Sequence, residues 1–93
     1  MDKIYFIDMY YFYILHSKLS DKYYIGSTSD LEGRLRRHNT NHKGFTGKYS
    51  DWELVYSEEY YTKKEALKRE RFVKNKKSKI FIRNLIESKR NNQ

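Results

Sequence analysis

The chain has 93 residues, no cysteine and a formal charge of +8, from 20 lysines and arginines against 12 acidic residues. This length predicts one small domain, and the lack of cysteine excludes disulfides and thiolate metal sites. The core must therefore come from aliphatic residues and from many aromatic residues, ten of them tyrosines. The charge predicts a surface that attracts polyanions, most commonly nucleic acid, although a merely soluble basic domain has the same composition.

The N-terminal segment predicts neither a membrane span nor a signal peptide. Residues 4–15 are interrupted by Asp8 and are shorter than the roughly 20 residues that a span needs. No small-residue cleavage site follows them. We therefore expect a cytoplasmic protein without membrane contact, as the lack of cysteine also suggests. Residues 1–8 are interpreted as an appendage to a single domain over residues 1–93, with Met9 as an alternative natural start.

A β-hairpin is predicted at the start of the domain. Tyr10–His16 is β-branched and aromatic, Ser17–Asp21 carries turn residues, and Tyr23–Ser27 is a second short strand. Symmetric pairing about the turn predicts that Tyr13 lies opposite Tyr24.

Capping signals predict three helices. Ser29 to Glu32 fits the S-x-x-E capping box, and Thr62 to Glu65 fits the T-x-x-E form of the same box. Ser78 is expected to cap the third helix. The inward residues of that helix are predicted to be Phe81, Ile82, Leu85 and Ile86.

A basic loop over residues 39–51 and a third strand over Trp52–Glu58 separate the first two helices, and Arg90–Gln93 is expected to be a frayed tail. The resulting order is β-β-α-β-α-α. Short connections between these elements favour an α+β fold, a small single domain in which helices flank a three-stranded antiparallel sheet.

Arg34 and Glu70 interrupt the inward stripes of the first two helices. A charge in such a position is costly unless it is paired or bound to a metal. The alternatives are an edge position from which the side chain reaches water and, for Glu70, an ion pair with a neighbouring cation. The other members of the stripes are Leu31, Leu35 and His38 in the first helix and Ala66 and Val73 in the second.

Histidines and tyrosines give weaker signals. His38 shares a helix face with Arg34, although a surface histidine near a helix end has the same spacing. No two histidines have the spacing of zinc ligands, and no glycine-rich phosphate loop or nucleophile elbow occurs. Two opposed tyrosines in a hairpin are usually packing residues.

The hairpin and the helix after it resemble the GIY-YIG nuclease superfamily. Tyr24-Ile25-Gly26 matches the second half-motif, whereas the first keeps only Tyr13 because Tyr11-Phe12 replace Gly-Ile. The eleven residues from Tyr13 to Tyr24 are a spacing that the family uses. Further matches are Arg34 eight residues after the glycine, His38 four residues later, and Glu70 in the next helix. The resemblance runs from about residue 11 to residue 86, and the size is most similar to that of the stand-alone bacterial branch.

Two departures accompany the resemblance. Many members have an asparagine after the glutamate helix, and here Asn75 and Asn84 are candidates without a clear match. Some members have a lysine after the YIG glycine, where this chain has Ser27.

The resemblance implies a metal-dependent endonuclease that hydrolyses phosphodiester bonds. Glu70 would hold Mg²⁺ or Mn²⁺, and Arg34 would grip the phosphate. Tyr13 is the first choice of general base, assisted by Tyr24, and His38 is the rival base. A free phenol titrates near about 10, so positive charge would have to lower the pKa of Tyr13.

The expected partner is nucleic acid, DNA rather than RNA, bound by its backbone and selected by structure rather than by sequence. A catalytically lapsed nucleic-acid-binding module is the alternative function, and the oligomeric state is open. The basic residues expected to grip the backbone, unless they are only a solvated surface, are Lys43, Lys48, Lys74, Lys76 and Lys77.

Overall fold

The computed structural model describes residues 8–40 and 44–91, apart from the side chain of Phe45. Most of the expected N-terminal appendage and Lys43 lie outside the described residues. The elements are β1 (Tyr10–Ser17), β2 (Lys22–Thr28), α1 (Leu31–His38), a short 3-10 helix (Phe45–Lys48), β3 (Trp52–Tyr60), α2 (Lys63–Lys76) and α3 (Lys79–Asn91). The predicted order and the α+β class are confirmed, with the 3-10 helix added inside the basic loop.

The sheet has the order β2-β1-β3, and both pairs are antiparallel. The central strand β1 is buried on both faces, since Phe12, Tyr13, Ile14 and Leu15 are each at most 2% exposed. Successive side chains of a strand point to opposite faces, so this run feeds two separate cores.

The two faces of the sheet carry different cores. Phe12 and Ile14 pack with residues of β3, α2 and α3, namely Tyr56, Val73, Ile82 and Ile86. Tyr13 and Leu15 pack on the other face with Trp52, and the partly buried residues around them are Tyr24, Leu31, Leu35 and Tyr49. Helix α1 therefore covers one face, and α2 and α3 cover the other.

The register of the hairpin differs from the predicted one. Tyr13 pairs with Gly26, and Tyr24 pairs with Leu15, so the prediction that the two tyrosines are directly opposed was wrong. The reason is that β1 extends to Ser17, which already pairs with Lys22. The shift is an even number of residues and keeps both tyrosines on one face, with ring centroids 6.2 Å apart.

Two of the three predicted helix caps are confirmed. Thr62 Oγ1 accepts from the Glu65 amide, and Ser78 Oγ accepts from the Phe81 amide. The cap of α1 is Asp30 rather than Ser29, because the Asp30 carboxylate accepts from the Gly33 amide at 3.0 Å. Helix α3 continues to Asn91, so Arg90 and Asn91 are helical rather than part of a frayed tail, and residues 92–93 lie outside the described residues.

A network around Glu58 joins β3 to α2. Glu58 accepts hydrogen bonds from Tyr56, from Tyr60 at 2.6 Å, and from both Nε and Nη2 of Arg69 at 3.0 and 3.1 Å. Burial opposes ionisation of Glu58, but the bonds from Arg69 and the tyrosines outweigh it and lower the pKa of Glu58. Burial, with the nearby Glu58 carboxylate, raises the pKa of Tyr56 and of Tyr60 to about 12.

The raised tyrosine pKa values predict a loss of stability at alkaline pH. Their contribution is complete below the ordinary pKa of 10.0 and is lost as the pH rises towards about 12, because only the unfolded chain ionises freely in that window. Thermal melts from pH 8 to 12 should therefore show a shallower decline for Tyr60→Phe than for the wild type. The exposed Tyr61→Phe variant is the control, and equal slopes for all three proteins would contradict the prediction.

Candidate active site

Tyr13 occupies the centre of the α1 face of the sheet. It is 2% exposed, and its hydroxyl lies 3.0 Å from Nε2 of His38, the last residue of α1. The Tyr24 ring packs against the same imidazole, with centroids 4.4 Å apart. The structure therefore brings together three of the predicted site residues, and His38 is buried rather than a surface histidine.

The imidazole of His38 is fixed from its other side by the 3-10 helix. His38 Nδ1 lies 2.8 Å from Thr46 Oγ1, and the Thr46 carbonyl accepts from Trp52 Nε1 at 2.9 Å. Sequence reasoning missed Thr46 because a threonine in an irregular loop has no periodic signal. These contacts orient the ring so that Nε2 points at the Tyr13 hydroxyl.

The pKa of Tyr13 is raised well above its ordinary value. Burial is the largest cause, Tyr24 and Glu70 act in the same direction, and Arg34 opposes them. The protein groups alone therefore do not lower the pKa of Tyr13, as a phenolate base would need. The phenol holds its proton at neutral pH, and His38 Nε2 is positioned to receive it.

Gly26 is the residue that lets the Tyr13 ring lie flat against β2. A Cβ at this position would lie 2.6 Å from Tyr13 Oη and 2.7 Å from Cζ, closer than such contacts allow. Close approach of a ring to a backbone requires glycine there.

Glu70 lies on α2, and its side chain is 16% exposed. Its Oε1 accepts from Ser27 Oγ at 2.7 Å, and its Oε2 accepts from Lys74 Nζ at 2.6 Å. The ion pair that the sequence left open for Glu70 is thus present, and its partner is one of the lysines expected to grip the nucleic-acid backbone. The bond between Ser27, which follows Gly26 on β2, and Glu70 was not predicted from the sequence.

Arg34 is exposed at the edge of its helical stripe rather than buried in it. It lines a cleft of about 330 Å³ together with Ser27, Ala66 and Lys63. Because Ser27 also bonds Glu70, the cleft connects the arginine on α1 to the glutamate on α2. The remaining lining residues are Tyr10, Thr28 and Ser29.

The side chains around Glu70 suit an ion such as Mg²⁺, which takes few ligands from the protein, better than an ion that needs several protein ligands. In residues 8–40 and 44–91, no three histidine or acidic side chains come together in a way that could hold a metal. Mg²⁺ is commonly bound through one or two carboxylates, with water and substrate phosphate as its other ligands. A single carboxylate that borders an open cleft meets that requirement, provided Lys74 leaves Oε2.

The sequence model of the GIY-YIG catalytic domain family matches residues 9–84 of the chain. The chain belongs to the GIY-YIG family. It is 34% identical over 89 residues to the UPF0213 protein YazA of Bacillus subtilis (strain 168), a match that covers 90% of this chain and 84% of that protein. No solved structure matches the chain at a significant level.

Membership of the GIY-YIG family places the chain in a nuclease-type enzyme family. The YIG motif lies in β2, and Tyr24 and Gly26 both contact groups of the Tyr13–His38 pair. In the part of the chain that the structure describes, no helix is long and apolar enough to cross a membrane.

The predicted backbone-binding lysines of this GIY-YIG domain have different surroundings. Lys76 lies over the Phe72 ring, 4.5 Å from its centroid, and Lys77 ends α2 in a left-handed conformation with φ 46°. Lys48 is exposed at the end of the 3-10 helix. Lys74 bonds Glu70, so the end of α2 connects the candidate metal ligand to a basic surface.

Proposed function

We propose that this GIY-YIG domain is a metal-dependent endonuclease that hydrolyses phosphodiester bonds in DNA and selects its substrate by structure rather than by sequence. The observation that carries the proposal is the cleft where Arg34 and the Ser27–Glu70 pair meet. The Tyr13–His38 pair adjoins it, because the Tyr13 hydroxyl interacts electrostatically with both Arg34 and Glu70. An anion-binding arginine, a carboxylate and a proton relay are the groups that phosphodiester hydrolysis needs.

Glu70 would hold Mg²⁺ or Mn²⁺ through a carboxylate oxygen. The ion would stabilise the charge that develops on the leaving oxygen. Ser27 would keep the carboxylate oriented by its bond to Oε1. Lys74 would move from Oε2 to the phosphodiester, where its ammonium offsets negative charge.

Tyr13 and His38 would share the proton of the attacking water. In this mechanism the phenol oxygen of Tyr13 accepts a proton from the water while its own proton passes to His38 Nε2, 3.0 Å away. His38 becomes an imidazolium, and its Nδ1–H donates to Thr46 Oγ1. The water oxygen attacks phosphorus, and the bond to the leaving oxygen breaks. Arg34 would bind the phosphate oxygens, where its planar guanidinium matches their geometry.

The surface of the domain is the reason for proposing DNA as the substrate and for proposing that its structure, rather than its sequence, is selected. The domain is basic, with a charge of +8, and it has few elements able to enter a groove and read bases. Backbone contacts of this kind bind without sequence information. A cytoplasmic location is part of the same proposal and is supported by the lack of cysteine.

Cleavage assays on labelled single-stranded, duplex, flap and four-way DNA test the function, each with Mg²⁺, Mn²⁺ or EDTA. We expect cuts that require the divalent ion and that favour one branched or unpaired substrate over the duplex. A matched RNA single strand shows whether the sugar matters. Cleavage that persists in EDTA, or equal cutting of all DNA forms, would contradict the proposal.

A catalytically lapsed nucleic-acid-binding module is the second candidate. It is favoured by two observations: both carboxylate oxygens of Glu70 are taken by Ser27 and Lys74, and the pKa of Tyr13 is raised. This candidate predicts no cleavage with any metal. It also predicts tight binding that weakens steeply with salt, to the same extent in the wild type and in Glu70→Gln.

A further inference from the structure

A second groove lies between β2 and the junction of α2 with α3. It has a volume of about 290 Å³, and its apolar lining includes Tyr23 and Ile25 of β2 and Ile82 of α3. We propose that this groove binds an unpaired nucleotide that flanks the scissile phosphate. This inference rests on the proposed nuclease function and adds the route by which the substrate strand reaches the cleft.

The rim of the groove is basic. It carries four lysines, of which Lys79 pairs with Asp21 and Lys74 pairs with Glu70. Asp21 already bonds His16 at 2.9 Å and Lys79 at 3.1 Å, so little of its charge is left to repel an anion. The N-terminus of α3 opens at the same place and adds its partial positive charge. The four lysines are Lys22, Lys74, Lys77 and Lys79.

The floor of the groove offers the Tyr23 ring for stacking of a nucleotide base. The Tyr23 ring is half-buried and is held by the His16 ring, with centroids 4.7 Å apart. Duplex DNA presents phosphates to a protein surface but keeps its base faces stacked inside. An unpaired nucleotide presents a phosphate and a base face together, and base stacking on aromatic residues is the usual basis of single-strand binding. The combination of lysines with Tyr23 therefore selects an unpaired nucleotide.

The groove is continuous with the candidate active site through Lys74. This lysine lines the groove and also donates to Glu70 Oε2 at 2.6 Å. A strand that runs from the groove past Lys74 would therefore bring its next phosphate to Glu70. The same strand would meet Ser27 and Arg34 in the cleft beyond.

The test measures binding in EDTA, where cleavage does not interfere. The probe is a fluorescent 12-nucleotide single strand, compared with the same sequence as a duplex. Lys22→Gln/Lys77→Gln should weaken single-strand binding about tenfold and lower the salt slope by about 1.4, which is about 0.7 for each lost phosphate contact. The control Lys64→Gln/Lys68→Gln removes two exposed lysines of α2 outside the groove and should cost less than about twofold.

Tyr23→Leu separates nucleotide binding from general attraction to phosphate. It should weaken single-strand binding about fivefold and leave duplex binding unchanged, since only the unpaired base stacks on the ring. Circular dichroism confirms that each variant is folded. Equal losses for the two double variants, or an equal effect of Tyr23→Leu on both probes, would overturn the inference.

The same measurements separate this inference from the proposed function. If the wild type binds single strands through the groove but cuts none of the DNA substrates with metal, the nuclease proposal fails and the binding site stands. If the wild type cuts while the groove variants bind like the control, the groove assignment fails and the nuclease proposal stands.

Discussion

Glu70→Gln should abolish metal-dependent cleavage and leave the domain folded. Glutamine has the shape of glutamate and can still accept from Ser27, but it lacks the negative charge that a divalent cation requires. Lys74 loses its partner, yet its side chain is 48% exposed and can turn to water. We expect the single-turnover cleavage rate to fall by more than about a hundredfold, with little change in melting temperature.

Mn²⁺ binding measured by electron paramagnetic resonance shows whether this loss arises at the metal. We expect weaker binding in Glu70→Gln and unchanged binding in Glu59→Gln, which removes an exposed carboxylate on β3. Equal Mn²⁺ affinity for wild type and Glu70→Gln would show that another group holds the ion. Loss of cleavage by Glu59→Gln as well would point to overall charge instead.

Gly26→Ala should destabilise the domain by about 2–3 kcal/mol, the upper part of the usual range for overpacking a filled site. The new methyl group would lie 2.6 Å from Tyr13 Oη, so the ring must move. Tyr13 has little room to do so, because it is 2% exposed and bonded to His38. Chemical denaturation monitored by tryptophan fluorescence gives the change in the free energy of unfolding.

A double-mutant cycle assigns that cost to the Tyr13 ring. In a Tyr13→Leu background no atom reaches the position of Oη or Cζ, so Gly26→Ala should cost less than about 1 kcal/mol. An equal cost in both backgrounds would mean that the glycine is needed for its backbone conformation and not for close approach of the ring.

The sequence predicted most of the fold because its signals are local. The caps Thr62 and Ser78 and the β-branched and aromatic composition of β1 each depend on neighbouring residues only. The register of the hairpin was missed because it depends on how far β1 extends before the turn, which ends at Asp21 with φ 52°. Asp30 replaced Ser29 as cap because the helix begins one residue later than the capping box predicts, and the Asp30 carboxylate accepts from the Gly33 amide.

The site was predictable in its main residues through the family resemblance. Tyr13, Tyr24 and His38 come together as expected, and Glu70 lies at the cleft that Arg34 lines through the shared neighbour Ser27. The supporting residues were not predictable in their roles. Thr46 touches His38 only through the tertiary fold, and Ser27 approaches Glu70 across 43 positions of the chain. Neither contact leaves a pattern in the sequence.

The central place of β1 has a consequence for how the chain folds during synthesis. Among the described strands, β1 is synthesised before β2 and β3 but needs both as partners, and β3 begins only at Trp52. A lone hairpin is marginally stable in water, so β1 and β2 cannot fold ahead of the rest. The cover of Phe12 and Ile14 is incomplete until Ile82 and Ile86 have been made. Fragments that stop before α3 should therefore expose apolar surface and aggregate.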